Sequence, residues 1–321
     1  MGRSLDLNQR SRFLAETIQN RSIELGVEFS SSENGLQIDF GVNTAGGLQA
    51  GIELAKLSCG DLARIDLMPM QIGNTSLPSL FFQTDHPVAA CMGAQYAGWP
   101  IQVAGFFSMG SGPIRCLRGR EKLLEQYSLV TDQNRSESLG VLCLETGQIP
   151  PQKVIELIVD EVGIKPANLI LALAPTSSIS GTVQVVARCV ETSLHKLHEL
   201  GFDLNGVVSA SGQAPIPPVH PDDLKAIGLT NDSILFGGMV DLWVRGEDSD
   251  IERLGEKAPS SCSPDFGIPF YELFKKNQFD FYKIDPHLFA PAHIRMHNLL
   301  TGRSFSFGGL HEKLLTESYG R

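Results

Sequence analysis

The sequence predicts an α/β protein of mixed α+β layers, in two domains with a ligand site expected between them, and three observations carry that expectation. The chain has 321 residues, beyond the usual size of one hydrophobic core. Two apolar runs, "VLCLETG" and "NLILALAP", have the length of buried strands, and each is followed by a helical pattern, which suggests buried strands in mixed layers; runs this short also fit buried helix segments. Near the end, "AHIRMHNLLTGRSFSFG" alternates on both sides of Thr301 and Gly302, as a hairpin closing a sheet does. Two-domain chains of this kind commonly bind ligands between their domains.

From the start, residues 8–25 carry helix formers with apolar positions at Phe13, Leu14, Ile18 and Leu25, and Gly26 stands where the helix would stop. A strand follows around "GLQIDFG". "LPSLFFQTDHPVAACMGAQYAGW" reads as a strand, a turn at Asp85 and a helix that Asp85 would cap, with Pro87 in its first turn. The polar stretches 128–140 and 245–267, rich in Gly, Ser or Pro, read as linkers or mobile loops. The first of them sets an approximate boundary: an N-terminal α/β domain over 1–135 and a C-terminal one over 136–321, with the chain free to cross between them. "TNDSILFGG" reads as a turn leading into a strand.

Composition narrows the function. A hydrophobic content of 42% with 19% charged residues marks a soluble globular chain. The net charge of −10, without any dense basic block, argues against nucleic acid as a partner. The six cysteines are scattered, form no CxxC pair and mostly sit in apolar runs, as reduced, buried thiols do. No apolar run approaches the roughly 18 residues that span a bilayer, and the polar start lacks a signal-peptide core. A cytoplasmic protein with no membrane partner is the expectation.

The stretch "VVARCVETSLHKLHEL" (185–200) carries the chemistry. Read as one helix, Val183, Val186, Ala187, Val190, Leu194 and Leu197 form its core face. Gln184, Arg188, Glu191, His195 and His198 form a stripe beside it. Arg188 and Glu191, one turn apart, are either an ion pair on a solvated edge, worth under about 1 kcal/mol, or a working pair. In the second reading Glu191 is a general base for water, and Arg188 orients it and helps keep it ionised. Glu191, His195 and His198 at i, i+4 and i+7 also have directions suited to one metal ion, outside the HExxH pattern. Upstream, "LILALAPTSSISG" ends a strand and enters the helix through a Ser/Thr/Gly loop whose free N–H groups suit a polar ligand, though the GK[ST] ending of a P-loop is missing. "FFSMGSGPIR" makes a tight loop ending in Arg115, which ordinary turn chemistry also explains.

Together, "GVNTAGGLQAG", "TDHPVAACMGAQYAGW", "MGSGPIR", "APTSSISGTVQVVARCVET", "TNDSILFGG" and "FYKIDPHLFAPAHI" resemble the methenyltetrahydromethanopterin cyclohydrolases, in order and over nearly the whole chain. The resemblance implies a reversible, cofactor-free and metal-free hydrolysis of the methenyl bridge of a tetrahydromethanopterin-type carrier to the N5-formyl derivative. It also implies a homotrimer of two α/β domains flanking a large pocket. The family's catalytic Arg-x-x-Glu pair falls on Arg188 and Glu191, and its pocket walls make Asp85, Ser111, Arg115 and Thr176 candidates for contacts to the pterin or its tail.

The chain departs from the pattern at Tyr96, where many archaeal members carry Lys. The resemblance leaves open whether the pathway runs toward one-carbon oxidation or methane formation, and gives His195 and His198 no role. Two other readings stay open at this level: a metal-dependent hydrolase using Glu191, His195 and His198, and a non-catalytic pterin-binding protein.

Overall fold

The computed structural model describes residues 5–131 and 135–320. Its strands are β1 (Glu28–Ser32), β2 (Gly35–Asp39), β3 (Arg64–Ile72), β4 (Thr75–Thr84), β5 (Trp99–Val103), β6 (Phe106–Ser111), β7 (Gly140–Glu145), β8 (Leu169–Ala174), β9 (Val207–Pro215), β10 (Met239–Val244), β11 (His293–Asn298) and β12 (Ser304–Gly308). Its α-helices are α1 (Leu7–Asn20), α2 (Ser22–Leu25), α3 (Leu48–Ser58), α4 (Ile114–Arg118), α5 (Lys122–Gln126), α6 (Gln152–Val162), α7 (Ile179–Val186), α8 (Cys189–Glu199), α9 (Asp223–Gly237), α10 (Asp248–Gly255), α11 (Phe270–Lys276) and α12 (Glu312–Ser318). The protein is α/β, as the sequence predicts.

The chain forms two compact units. Unit 1 runs through Ala63 and resumes over Ala89–Gln184; unit 2 takes Arg64–Val88 and the chain from Val185 onward. The chain crosses between them three times, and residue 135 falls inside unit 1.

Unit 1 holds a six-stranded sheet in the order β1-β2-β8-β7-β6-β5, with β2, β8 and β7 parallel. Both faces are covered, so adjacent residues of one strand enter different cores. Leu142 and Leu144 of β7 with Leu169, Leu171 and Leu173 of β8 pack against Val154, Ile155, Ile158 and Val162. Val141 and Cys143 with Ile170 and Ala172 pack on the other face against Ile18, Ala50, Leu54 and Leu57. This two-sided burial is why "VLCL" and "LILALA" are unbroken apolar runs. Each such side chain contributes roughly 1.5–3 kcal/mol of burial.

Unit 2 holds the sheet β12-β11-β10-β9-β4-β3, parallel between β10 and β11 and antiparallel elsewhere. Its central strands alternate. Val240, Leu242 and Val244 of β10 and Ile294 and Met296 of β11 are buried, while the residues between them are partly exposed. The expected hairpin is β11–β12, joined through Gly302 at φ +73°. Behind the sheet, Phe236, Phe270, Phe274, Leu235 and Leu288 form an aromatic core.

Several local expectations change. The first helix is broken at Arg21 into α1 and α2, and Phe13 faces solvent at 58% exposure; Gly26, left-handed at φ +64°, ends α2. The stretch 245–267 is no bare loop: it contains α10, whose Ile251 and Leu254 are buried one turn apart. "TNDSILFGG" lies in the last turns of α9, where Thr230 and Ser233 return their hydroxyls to carbonyls one turn back. Part of the stretch 128–140 lies outside the described residues; β7 begins at Gly140. Five of the six cysteines are buried thiols, but Cys262 is exposed.

Candidate active site

The segment read as one helix is two. An i−3 hydrogen bond from Arg188 N to Val185 O (3.1 Å) tightens the backbone after α7, and Ala187 and Arg188 form a turn. Arg188 then caps α8, its carbonyl accepting from Thr192 N at 2.8 Å. Glu191 therefore occupies the third position of α8, where the positive end of the helix favours an ionised carboxylate. The expected core positions Val183, Val186, Ala187, Val190, Leu194 and Leu197 are all buried.

The placement of α8 in unit 2 rests on close packing against β9. A Cβ at Gly212 would lie 2.7 Å from Cγ2 of Val190, so only glycine lets the helix approach this far. Burial reaches the charged residues: Arg188 is 6% and Glu191 4% exposed, which removes the solvated-edge reading of the pair. Both are engaged by other groups of the structure. Water entering beside them would meet fixed charges in a low dielectric, where their orientation matters most.

His195 and His198 are half-buried. The Nε2 of His195 lies 3.9 Å from Oε1 of Glu199, and burial pushes its imidazole below the ordinary histidine pKa. Among the described residues no group of three or more His, Cys, Asp and Glu side chains is arranged to hold a metal ion; Glu191, His195 and His198 thus do not form the ligand set their spacing suggested.

In unit 1, two loops leave the carboxyl ends of the parallel strands β2 and β8, the edge at which α/β sheets present ligand-binding loops. After β2, the Asp39 carboxylate accepts from Gly41, Val42 and Asn43 N–H at 2.7–2.8 Å. After β8, Thr176 is buried in a turn whose carbonyl accepts the Thr182 hydroxyl at 2.8 Å. Ser180 joins the two loops by bonding the backbone of Gly47 (3.1 and 3.2 Å). Gly181 is required here, because a Cβ would fall 1.9 Å from Pro175 O.

Ser111, buried at the end of β6, precedes Gly112 at φ +108°. Arg115 is fully buried with its donors committed. Its Nε bonds Glu121 Oε1 at 2.9 Å, Nη1 bonds Met92 O at 3.1 Å, and Nη2 bonds Glu121 Oε2. Tyr96 lies over the guanidinium, 5.1 Å from ring centroid to Cζ, a cation–π contact. The arginine thus fixes the loop around it.

In unit 2, Asp85 is exposed and accepts from Ser209 Oγ at 2.6 Å. It does not cap a helix: Thr84 Oγ1 takes the His86 N–H (3.0 Å), and the helix that follows, Val88–Gln95, is wound as a π-helix.

Sequence reasoning missed three residues that shape these regions: Asp39, Glu121 and Lys196. The Asp-Phe-Gly turn signal could have flagged Asp39. Lys196, 2% exposed, donates to His287 O at 2.7 Å and gave no signal, because a Lys on a helix is ordinarily solvated.

A family model described as Cyclohydrolase (MCH) matches residues 6–319. The chain belongs to the methenyltetrahydromethanopterin cyclohydrolase family. Proteins named methenyltetrahydromethanopterin cyclohydrolase are similar to it along most of their length. The one from Rhodopirellula baltica is 47% identical over 285 residues, 88% of this chain and 85% of its own. That of Methylobacillus flagellatus is 43% identical over 287 residues, with the same coverage of 88% and 85%. That of Methanococcoides burtonii is 39% identical over 318 residues, 98% of each chain. Membership makes this cyclohydrolase-family chain an enzyme of the hydrolase class. No helix of the described residues is long and apolar enough to cross a membrane.

Proposed function

We propose that this protein reversibly hydrolyses the methenyl bridge of 5,10-methenyltetrahydromethanopterin to the N5-formyl compound, with Glu191 activating the water and Arg188 orienting it. The observation that carries the reading is the buried Arg188/Glu191 pair at the start of α8, in a chain of the cyclohydrolase family. The methenyl carbon is part of an amidinium-like cation and is already electrophilic. Catalysis then needs a positioned water and a base for its proton. Glu191 takes one proton as the water oxygen bonds to carbon, and returns it to N10 as the C–N10 bond breaks. The hydroxyl then becomes the formyl oxygen, and one proton leaves to solvent.

The carboxylate charge favours the bound cation, and Arg188 keeps the pair near neutral while donating toward the incoming oxygen. This sequence of steps calls on no redox group or Lewis acid, so no cofactor or metal is assigned. Asp85, Ser111 and Thr176 are assigned to pterin or tail contacts. Arg115 acts by holding its loop, since its donors are already used. The assembly assigned is a homotrimer, and the compartment the cytoplasm.

The test follows the absorbance of methenyltetrahydromethanopterin with chelator-treated protein. The wild type should remove the methenyl band, and Glu191→Gln should slow the loss by roughly 100- to 10,000-fold while still binding the carrier. A Glu191→Gln variant within a few-fold of wild type would sink the mechanism, and loss of activity on chelation would revive a metal-dependent one.

A further inference from the structure

The reaction proposed above leaves a proton to dispose of. Glu191 returns its first proton to N10, and the hydroxyl gives up a second as it becomes the formyl oxygen. At 4% exposure, the Glu191 carboxylate exchanges protons with bulk water slowly unless another group carries them.

Along α8 (Cys189–Glu199), Glu191, His195 and Glu199 follow one another at i, i+4 and i+8. That spacing keeps the three side chains on one side of the helix, each one turn from the next. Their exposure rises in the same order: Glu191 is buried, His195 half-buried and Glu199 exposed. The Nε2 of His195 lies 3.9 Å from Oε1 of Glu199, so this ring nitrogen is on the side nearer water. We propose that His195 is a proton-relay residue that carries the proton of the hydrolysis from Glu191 to solvent beside Glu199. The inference rests on the catalytic reading above and adds the route by which its proton leaves.

Histidine suits the task, because its ordinary pKa lies near neutrality and its two ring nitrogens can take up one proton and release another. To accept from Glu191 the ring must start neutral. Burial pushes the His195 imidazole below its ordinary pKa; Glu199 opposes that shift and His198 adds to it. The charged groups acting on the ring thus belong to α8 itself. Of the elements packed on α8, β9 carries no titratable side chain and β10 carries Asp241, which Arg295 holds at 2.7 Å. The turn 204–206 is capped by Asp203, which accepts from Asn205 N at 3.0 Å. The turn 286–288 is tied to Lys196 through His287 O, and the neighbouring Asp285 holds the Ser263 hydroxyl at 2.6 Å.

The step balances without a further reactant. After the C–N10 bond breaks, Glu191 is again a carboxylate, and it takes the hydroxyl proton as the O–H bond breaks and the formyl C=O forms. The proton passes to the His195 ring, giving an imidazolium, and one proton leaves Nε2 to water. In the reverse reaction a proton enters by the same route.

The methenyl absorbance assay tests the relay with His195→Gln, which keeps a polar side chain but cannot titrate, and circular dichroism serves as the folding control. Turnover at saturating carrier should fall about 100-fold, with KM within a few-fold of wild type. Added imidazole should restore a large part of that loss, and should restore none of the loss in Glu191→Gln. Glu199→Gln, at an exposed position, removes the group that raises the His195 pKa, so the acid limb of the turnover–pH profile should move to lower pH. Should His195→Gln not fold, that limb decides the question. Wild-type turnover in folded His195→Gln, a loss that imidazole leaves untouched, or an acid limb unmoved in Glu199→Gln would overturn the relay, while a slow Glu191→Gln leaves the catalytic reading standing. A wild type that does not remove the methenyl band would overturn that reading and the relay with it.

Discussion

The two six-stranded sheets are built on different terms. The unit 1 sheet is buried on both sides, and β8 is buried at all six positions; the unit 2 sheet covers one side, and β10 alternates strictly. The first spends its sequence on apolar surface, and its charged groups are drawn into fixed structural roles such as Arg115 with Glu121. The second keeps a polar, aromatic face in reserve and places its buried ionisable groups on the helix side: Arg188, Glu191, Lys196 and Asp232. The difference teaches that the two units hold their charged groups on different terms. In unit 1 a mutation is felt through packing or through an ion pair locked into the structure, such as Arg115 with Glu121, and in unit 2 also through the titration of a buried carboxyl such as Asp232.

That contrast is open to breaking. The largest effect on stability should come from Arg115→Met. It leaves the mostly buried Glu121 carboxylate without its bidentate partner, a loss of about 3–5 kcal/mol readable by urea denaturation. Next, Leu171→Ala in the doubly covered β8 should cost about 2–5 kcal/mol. If it costs less than 1 kcal/mol, the two sheets do not differ as described.

The third effect sharpens the charge side. Burial pushes the Asp232 carboxyl up to about 7, against hydrogen bonds from Phe270 N (2.8 Å) and the Ser318 hydroxyl (2.6 Å) that favour its ionised form. A carboxyl raised in the folded state binds more protons there than in the unfolded chain. Its contribution is therefore complete below the unfolded pKa near 3.8 and is lost as pH rises to about 7. Wild-type stability should fall across that window by on the order of 2–4 kcal/mol from this group. In Asp232→Asn the slope from this group should disappear, as melts at pH 5 and pH 8, roughly spanning the upper half of the window, would show. An unchanged slope would mean that this carboxyl does not titrate there. The smallest effect is expected on the open face of the unit 2 sheet: Ser211→Thr should change stability by no more than about 0.5 kcal/mol.

The sequence showed the strands that need no partner to be recognised. β7 and β8 are unbroken apolar runs because both faces are buried, and β11 and β12 alternate about a glycine turn. β9, "VVSASGQAP", was illegible: its small residues carry no strand signal, and Gly212 is explained only by the approach of Val190. The end of α9 was misread because Thr230, Asn231, Asp232 and Ser233 are turn formers in isolation. In the fold their side chains are satisfied, Asp232 by groups from α11 and α12, and the helix runs on to Gly237. In the candidate site, residue types and spacing picked out Arg188 and Glu191, but the break at Ala187–Arg188 and the burial of both charges were not legible.

By itself, then, the sequence determined the α/β class, two buried apolar runs of strand length, the C-terminal hairpin and the Arg-x-x-Glu pair. Each of these is written in residues close along the chain. The tertiary structure alone decided that Arg188 caps α8, that Arg115 is spent on Glu121 and backbone carbonyls, and that one sheet has an open face. These depend on which distant segments meet, and a side chain's chemistry is set by the groups that surround it once water has been displaced.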